Sequence, residues 1–487
     1  MKFSSRVLVP AILMLAFTAN IARAQVIDTS FGNQAMTTFA LSNSNEYSHR
    51  SAVDSLNRVV LVGSHYGSGG DFGIVRLLSD GSPDTNFGYG GQQYVTFNVG
   101  GNNIDTAIDV SIVQGDIYVA GNIGSGSYQY ALGLTKLDST GTQDISWGGN
   151  GTVVFSLPGR SLDVKRLIYD GSGFIAVGTA YSTTTDGPRI FSVRFDMQGN
   201  IDTQYGNGGV VITSFRSSAS IRDGSTVFDA ELSAGKLSIA GSFTSVDELM
   251  ENPQLPRGPG ALLRLDSSGQ PDTTLAGTGR MELWFGDTDI IVDLLIRYEA
   301  LEGQDTECQV DPLRTEICEY DAYYVLAVWE RMQGAPKGDH FLLALKYDGS
   351  PLQPQAGTLL YAIGQPTQYP GVVLTESPPP ARRILTTSTS VSANGYDVIE
   401  IFRFDFGWQS TMAGASHPGL QPDQTFGAGG SFQTPFVQHT PTHSFISNSV
   451  EVEAVSYQPG WNRLLLTGHA TTVQGQQQYA VTAIHAN

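Results

Sequence analysis

Short runs of apolar and alternating residues recur along the chain, each bounded by Gly, Asp, Ser or Pro. One type of run ends in Gly and is rich in β-branched residues. Its copies are Val59–Gly63, Ile117–Gly121, Phe174–Gly178, Leu237–Gly241 and Leu464–Gly468. Runs of this length bounded by turn residues are typical of strands joined by tight turns. Because helical periodicity is nearly absent, the pattern predicts an all-β protein.

Each run belongs to a longer repeat. A second strand with a basic residue near its end follows the run, and then comes a tag of Asp, two residues, an aromatic residue and Gly. The tags begin at Asp28, Asp84, Asp144, Asp202, Asp272 and Asp423. The last interval is long enough for two units, and Phe341–Gly349 supplies a degenerate copy whose missing tag falls near Leu352. The chain therefore contains seven units.

Seven units of about four strands favour a β-propeller over an open solenoid, because radial closure removes exposed sheet edges. One strand, Ala35–Leu41, precedes the first full set, and the C-terminal Tyr479–Asn487 stops where another tag would begin. We therefore predict that residues 25–487 form a single seven-bladed β-propeller of four-stranded blades. The N-terminal strand is expected to complete the last blade and close the ring.

The tag Asp28–Gly32, the run Val119–Gly121 and the turn Arg264–Asp266 resemble the delta-60 repeat of exported bacterial proteins. The resemblance covers nearly all of the chain after residue 24. It departs at Asp272–Ala276, where Leu and Ala replace the aromatic residue and Gly, and near Leu352, where the tag is absent. It implies a propeller-like repeat protein outside the cytoplasm and supplies no catalytic residues.

Residues 1–24 are predicted to be a cleaved signal peptide. Lys2 and Arg6 give a basic start, Val7–Ala19 is apolar, and Ala22–Ala24 has the small-x-small pattern of a cleavage site. No later stretch approaches the roughly 20 apolar residues that cross a bilayer. We therefore expect an exported protein, periplasmic or extracellular, without membrane insertion.

The charge of the chain narrows the class of partner. There are 27 Lys and Arg residues against 46 Asp and Glu, a formal net charge of −19 at pH 7. Such a surface repels phosphate backbones, so nucleic acid is a poor candidate, whereas a bound cation would suit it. No Gly-x-Ser-x-Gly elbow, Walker-type loop or His-Glu-x-x-His helix identifies a cofactor or an enzyme class. We expect a monomer that binds an unidentified ligand or protein.

Cys308 and Cys318 are the only cysteines in the sequence. An exported protein meets oxidising conditions, so the pair is predicted to form a disulfide that closes a small loop. A metal site with two cysteines would need two further ligands, and no His lies within twenty residues of either Cys.

Residues repeated in every unit have a simpler explanation than ligand binding. The basic column holds Arg76, Lys136, Arg194, Arg264, Lys346, Arg403 and, in the seventh place, His485. A tag Asp follows within about nine residues, which favours ion pairs that hold the turn. The tag aromatics, which are Phe31, Phe87, Trp147, Tyr205 and Phe426, are expected to pack between blades. The Gly residues that follow them are expected to take positive φ.

Three acidic residues are the first candidate site. Asp109, Asp229 and Asp293 occupy one aligned position in the innermost strands of units two, four and five. Other units place Ser51, Arg166 and Ser456 there. If this position faces the central channel, the carboxylates form a lining able to hold a cation. If it faces a neighbouring blade, each Asp accepts hydrogen bonds from backbone amides, which needs no ligand.

Histidines are the second candidate site. Propeller topology places the turns between second and third strands and the crossovers between blades on one face. Five of the eight histidines map to the sector of that face shared by units one and seven. They are His49, His65, His439, His443 and His469. Pro441 interrupts the only close pair, so that pair is a weak metal motif, and chance surface histidines are the alternative.

Three classes of function follow. The first is an exported binding or scaffold propeller whose ligand or partner docks on the loop-bearing face. The second is a hydrolase or lyase with an acidic or metal-assisted site at the channel mouth, and the third is a structural envelope or adhesion module. Regular repeats without a nucleophile and base favour binding, so we lean against an enzyme and assign no catalytic residue.

Overall fold

The computed structural model describes most of the chain between residues 27 and 485. The described residues are 27–33, 35–42, 44–65, 70–97, 99–100, 104–126, 129–184, 186–217, 223–244, 258–284, 288–300, 320–331, 338–350, 360–367, 372–376, 384–391, 397–410, 416–422, 431–435, 437–439, 444–446, 450–471 and 476–485. The predicted signal peptide, the predicted disulfide Cys308–Cys318, the tag aromatic Phe426 and His443 lie outside these residues, and only the backbone of His439 is described.

Strands and the turns that join them make up nearly all of the described residues. Strands β1 to β9 are Met36–Phe39 (β1), Ser48–Val53 (β2), Val59–His65 (β3), Asp71–Leu77 (β4), Gln92–Val95 (β5), Thr106–Val113 (β6), Asp116–Gly126 (β7), Gln129–Leu137 (β8) and Thr152–Phe155 (β9). Strands β10 to β17 are Arg160–Tyr169 (β10), Gly173–Ser182 (β11), Arg189–Asp196 (β12), Val210–Thr213 (β13), Gly224–Ser233 (β14), Lys236–Thr244 (β15), Gly260–Leu265 (β16) and Arg280–Leu283 (β17). Strands β18 to β26 are Thr288–Ala300 (β18), Tyr320–Arg331 (β19), Gly338–Lys346 (β20), Leu360–Thr367 (β21), Val372–Glu376 (β22), Ile384–Val391 (β23), Asp397–Ser410 (β24), Ser416–Pro422 (β25) and Ser431–Pro435 (β26). Strands β27 to β31 are Val437–His439 (β27), Ser444–Ile446 (β28), Val450–Gln458 (β29), Arg463–Thr471 (β30) and Gln477–His485 (β31), and a single 3-10 turn covers Pro459–Trp461. The prediction of an all-β chain with almost no helix is confirmed.

Consecutive strands pair antiparallel into sets. We name them set one (β2–β5), set two (β6–β9), set three (β10–β13), set four (β14–β17), set five (β18–β21), set six (β22–β26) and set seven (β29–β31 with β1). Sets one and two are joined by a single residue pair, Ser64 with Thr106. Set six has a fifth strand, and β27 and β28 form a separate hairpin. Within the described residues, no helix has the length and apolar character needed to cross a membrane.

The two ends of the described chain share one sheet. Strand β1 pairs antiparallel with β31, with Met36 opposite Thr482 and Phe39 opposite Tyr479. The N–H of Ala483 also donates to the carbonyl of Ala35 at 2.9 Å. The N-terminal strand is therefore the outer strand of set seven, which is the pairing that the chain ends predict.

The first strands of the sets lie against one another in a fixed order. The contacts run from β2 to β6, β10, β14, β18, β22 and β29, and from β29 back to β2. Hydrophobic clusters fill the spaces between adjacent sets, as between sets two and three, where Tyr118, Trp147 and Phe174 are buried. Side chains from the first strands of different sets therefore converge on one region.

The tags fasten each set to the next. In set one the N–H of Gly88 donates to the carbonyl of Thr140 in set two at 2.8 Å. The buried Phe87 ring packs against the turn at Gly141, where an added Cβ would lie 2.7 Å from the ring. The same contact joins Phe31 to Gly81, Trp147 to Gly199, Tyr205 to Gly269 and Leu275 to Gly349. The predicted packing of these aromatics between sets is confirmed for the described tags.

The unusual tag in set four keeps the geometry of the others. Ala276 stands where the other tags have Gly and adopts φ 48°, close to the φ 50° of Gly88. Its N–H donates to the carbonyl of Asp348 at 2.9 Å. The predicted positive φ of the tag glycines is confirmed at Gly32, Gly88, Gly148 and Gly206.

The basic column forms the predicted turn ion pairs. Arg76 Nε lies 2.8 Å from Asp84 Oδ2, and Lys136 Nζ lies 2.9 Å from Asp144 Oδ2. The other carboxylate oxygen of Asp84 accepts the N–H of Asn86 at 3.1 Å. Arg194 with Asp202 and Arg264 with Asp272 repeat the arrangement.

The seventh place in this column is corrected by the structure. The N–H of Asp28 donates to the carbonyl of Ala483, just as that of Asp84 donates to Arg76. Ala483, and not His485, therefore occupies the column. The cation comes from the neighbouring strand β30, where Arg463 Nε lies 2.9 Å from Asp28 Oδ2.

Candidate functional site

A β-bulge recurs in the first strands of six of the sets, which we call the innermost strands because they lie against one another. The register shifts between Ser48 and Arg50 in β2, and at the corresponding place in β6, β10, β14, β18 and β29. A bulge leaves one residue out of the ladder and redirects the next one. The residues that follow the bulges are Arg50, Asp109, Arg166, Asp229, Asp293 and Ala454. The position assigned from sequence to Ser51 and Ser456 therefore belongs to Arg50 and Ala454.

Two arginines and two of the predicted acidic residues meet where the innermost strands converge. Arg166 Nε lies 3.1 Å from Asp109 Oδ2, and its Nη1 lies 2.6 Å from Asp229 Oδ1. Arg50 Nη2 lies 3.5 Å from Asp229 Oδ1, and its Nε lies 3.9 Å from Asp109 Oδ1. The four residues come from four different sets. With Asp293, they form what we call the axial cluster.

The carboxylates of the axial cluster also bind the backbone of neighbouring sets. The N–H of Leu167 donates to Asp109 Oδ2 at 2.8 Å. The N–H of Leu294 donates to Asp293 Oδ1 at 2.8 Å and to Asp229 Oδ2 at 3.2 Å. Both alternatives raised by the sequence are thus present together, because Asp109 and Asp229 face the centre and also accept backbone amides.

The electrostatics of the axial cluster favour paired charges. Burial is the largest single influence on Asp229 and opposes its charge, but Arg166, Asp293 and Arg50 together hold the pKa of Asp229 below its ordinary value. Burial likewise opposes the charge of Arg166, while Asp229 and Asp109 raise its pKa. Three acidic residues face two guanidinium groups, and both guanidinium groups are paired with Asp109 and Asp229, so the cluster holds one more acidic group than its arginines can neutralise. In the described part of the chain, no group of His, Cys, Asp or Glu has the arrangement of a metal site.

Three of the predicted histidines lie around the segment that enters set one. His65 Nδ1 lies 3.3 Å from Glu46 Oε1, and its ring stacks on Tyr94 with centroids 4.2 Å apart. His469 meets the Tyr47 ring edge-on at 5.0 Å. His49 is the bulged residue of β2, and burial lowers its pKa to about 4.

The contacts of these histidines stabilise the fold around the segment that enters set one. Glu46 is fully buried and accepts the N–H of Leu41 at 2.5 Å. It therefore contacts both His65 and the backbone of the segment that leads into set one. Burial also lowers the pKa of His469 to about 4. Sequence reasoning missed Glu46 because it lies outside every repeated column.

A cleft between sets two and three was not predicted. Its volume is about 560 Å³, and its walls come from the ends of β7 and β11 and the beginnings of β8 and β10. It therefore opens on the loop face, by which we mean the face with the β7–β8 turn and the β9–β10 crossover. The lining includes Asn122, Gln129, Tyr130, Ser161, Asp163 and Tyr181. No repeated column points to it, because its residues come from the least regular part of each unit.

Hydrogen bonds between the two sets hold the walls of the cleft. The N–H of Val164 donates to Asn122 Oδ1 at 2.8 Å, and Asn122 Nδ2 donates to Asp163 Oδ1 at 3.4 Å. The N–H of Tyr130 donates to Ser161 Oγ at 3.0 Å. The walls are thus fixed before any ligand enters.

Tyr181 is the most strongly perturbed group in the cleft. Its side chain is 39% exposed, yet burial of the phenol, helped by the charge of Asp163, raises its pKa to about 12. A hydrogen bond with Thr226 in set four acts in the opposite direction. Tyr181 therefore remains a neutral hydroxyl throughout the physiological pH range.

Comparisons with known proteins bear on the fold. A family model described as a domain of unknown function (DUF5122) beta-propeller matches residues 57–87, which cover β3, β4 and the tag of set one from Asp84 to Phe87. A search of curated proteins finds no significant match.

Solved structures with a similar arrangement are distant in sequence. A neuraminidase-like protein of a bat influenza A virus is 11% identical, with a TM-score of 0.37, over 95% of this chain and 96% of that chain. An alpha-L-arabinofuranosidase from Fusarium graminearum is 9% identical, with a TM-score of 0.39, over 77% and 92%. An acylaminoacyl peptidase from Pyrococcus horikoshii is 8% identical, with a TM-score of 0.35, over 89% and 52%. At these scores the matches carry no argument about activity.

Proposed function

We propose that this chain is an exported, seven-bladed β-propeller of the delta-60 repeat type that binds a ligand on its loop face. Seven sets of strands, innermost strands that contact one another in a cycle, and the pairing of β1 with β31 support a closed ring of seven blades. The N-terminal leader pattern supports export.

The cleft between sets two and three is the observation that carries the binding role. A preformed concave site with a few fixed polar groups is the usual form of a small-molecule site. This cleft has that form, and it lies on the face where loops vary while the sheets stay regular. The paired charges of the axial cluster support binding over acid chemistry at the channel mouth, since Asp109 and Asp229 are both engaged by Arg166.

A blocking substitution tests the proposal. Gln129 is an exposed residue of the cleft, so Gln129→Trp should fill the site without disturbing the core. Gln204→Trp is the matched control, because Gln204 is exposed in the tag of set three on the opposite face. Melting temperatures would be measured with sugars, amino acids, short peptides and divalent cations.

We expect at least one compound class to raise the melting temperature of the wild type and of Gln204→Trp, but not that of Gln129→Trp. The proposal fails if every stabilising compound acts equally on Gln129→Trp, or if no compound stabilises the wild type.

A further inference from the structure

We propose that the cleft between sets two and three binds a neutral sugar residue, an inference that rests on the proposed binding function. Apart from the carboxylate of Asp163, the polar side chains of its described lining are amides and hydroxyls. Asn122 and Gln129 supply the amides, and Ser161, Ser182 and Thr183 supply hydroxyls. Hydroxyls donate and accept hydrogen bonds alike, so this lining matches a ligand whose own surface is hydroxyl groups.

The charge of the cleft argues against an ionic ligand. No Lys or Arg stands among the described residues that line it, and the net charge of −19 disfavours anionic ligands in general. Asp163 supplies the one carboxylate of the described lining, and it has Lys165 Nζ at 3.1 Å and Asn122 Nδ2 at 3.4 Å. That carboxylate is already compensated, so a ligand cation would gain little there.

Two tyrosine rings provide the apolar part of the site, above a buried leucine. Tyr130 and Tyr181 line the cleft together with Leu162, which is 1% exposed. A tyrosine presents a flat apolar ring and a polar tip, and a sugar has apolar C–H faces between polar edges.

The size of the cleft agrees with this ligand class. Its volume of about 560 Å³ lies within the range of about 300–1,000 Å³ for small-molecule sites. The hydrogen bonds between sets hold the walls apart in advance, so binding needs no opening step.

Calorimetric titration would test the inference with a panel of neutral mono- and disaccharides, and with sialic acid and glucose 6-phosphate as anionic comparators. Tyr181→Ala removes one ring, and Gln129→Ala removes only an exposed amide and cannot unfold the protein. Tyr89→Ala is the matched control, because Tyr89 is 85% exposed in the tag turn of set one. Far-ultraviolet circular dichroism would verify that each variant is folded.

We expect at least one neutral sugar to bind the wild type and Tyr89→Ala alike. Tyr181→Ala should bind it roughly tenfold more weakly or worse, and Gln129→Ala a few-fold more weakly. Tighter binding of the anionic comparators, or affinities unchanged in both cleft variants, would overturn the sugar assignment.

The result also separates the two proposals. If no neutral sugar binds while another compound is excluded by Gln129→Trp, the sugar assignment is wrong and the binding function stands. If no compound depends on the cleft, both are wrong.

Discussion

Arg76 and Asp84 show what a single repeated residue does in this protein. Their side chains are only 2% and 3% exposed, and a buried charge is tolerated only with a partner and further hydrogen bonds. Arg76 also donates from Nη1 to the carbonyl of Ser139 in the next set at 2.5 Å. The pair therefore joins two sets, so its recurrence reflects assembly of the fold and not ligand binding.

Buried histidines make the stability of the protein sensitive to acid. Burial lowers the pKa of His469 to about 4, whereas an unfolded His titrates near 6.5. Below about pH 6.5 the unfolded chain binds a proton that the folded chain does not. The free energy of unfolding is therefore greatest above pH 6.5 and falls as pH decreases toward 4.

His469→Gln should remove one part of this pH dependence. Between pH 7 and pH 5, the variant should lose roughly 2 kcal/mol less stability than the wild type, as measured by urea unfolding at both values. Gln204→Ala is a suitable control, because Gln204 is exposed and carries no titratable group. An equal loss in His469→Gln and the wild type would contradict the prediction.

At the scale of the strand, the β-bulge determines which side chains reach the axial cluster. Without the shift between Val164 and Arg166, the guanidinium of Arg166 would be displaced by one ladder position. With it, Arg166 engages two carboxylates from two other sets. The bulge thus converts an ordinary strand position into part of a network between sets.

Arg166→Met tests whether the axial cluster is coupled. Its removal leaves Asp109 and Asp229 enclosed, with the more distant Arg50 as their remaining cationic partner, and should cost roughly 3 kcal/mol in the free energy of unfolding. Adding Asp229→Asn should restore part of that stability, since it removes one of the uncompensated charges. Additive losses in the double variant, measured by urea unfolding, would show that the two residues do not act as a pair.

At the scale of the whole molecule, the proposed closure of the ring depends on strand β1. It gives β31 an antiparallel partner along Met36–Phe39, and the tag just before it fastens set seven to set one through the N–H of Gly32 and the carbonyl of Asp80. Removing this segment would expose the edge of β31, and unpaired edges promote association between molecules.

A chain lacking residues 27–41 should unfold at a lower temperature and associate at high concentration. A synthetic peptide with the sequence of 27–41 should restore part of the melting temperature by strand addition, and a scrambled peptide should not. Light scattering and thermal melts would measure both effects. An unchanged melting temperature in the shortened chain would contradict a ring closed by β1.

Much of this architecture could be predicted because the information is local. Asp84 follows Arg76 by eight residues, so a turn ion pair follows from the chain itself. Phe87 and Gly88 similarly repeat at a fixed distance from it. The prediction of His485 for the seventh place was wrong because the C-terminal unit has Ala, and not a basic residue, at the equivalent position. Only the hydrogen bond from the N–H of Asp28 to the carbonyl of Ala483 identifies that position.

By itself the sequence determined the strand content, the repeated sets and the turns that join them, since periodicity and turn chemistry act over a few residues. Only the tertiary structure decided that Arg50 faces Asp229, which is 179 residues away, and that Tyr130 and Tyr181 share one cleft. These contacts depend on where each bulge falls and on how adjacent sheets pack. Neither the position of a bulge nor the packing of adjacent sheets can be read from the spacing of residues within one repeat.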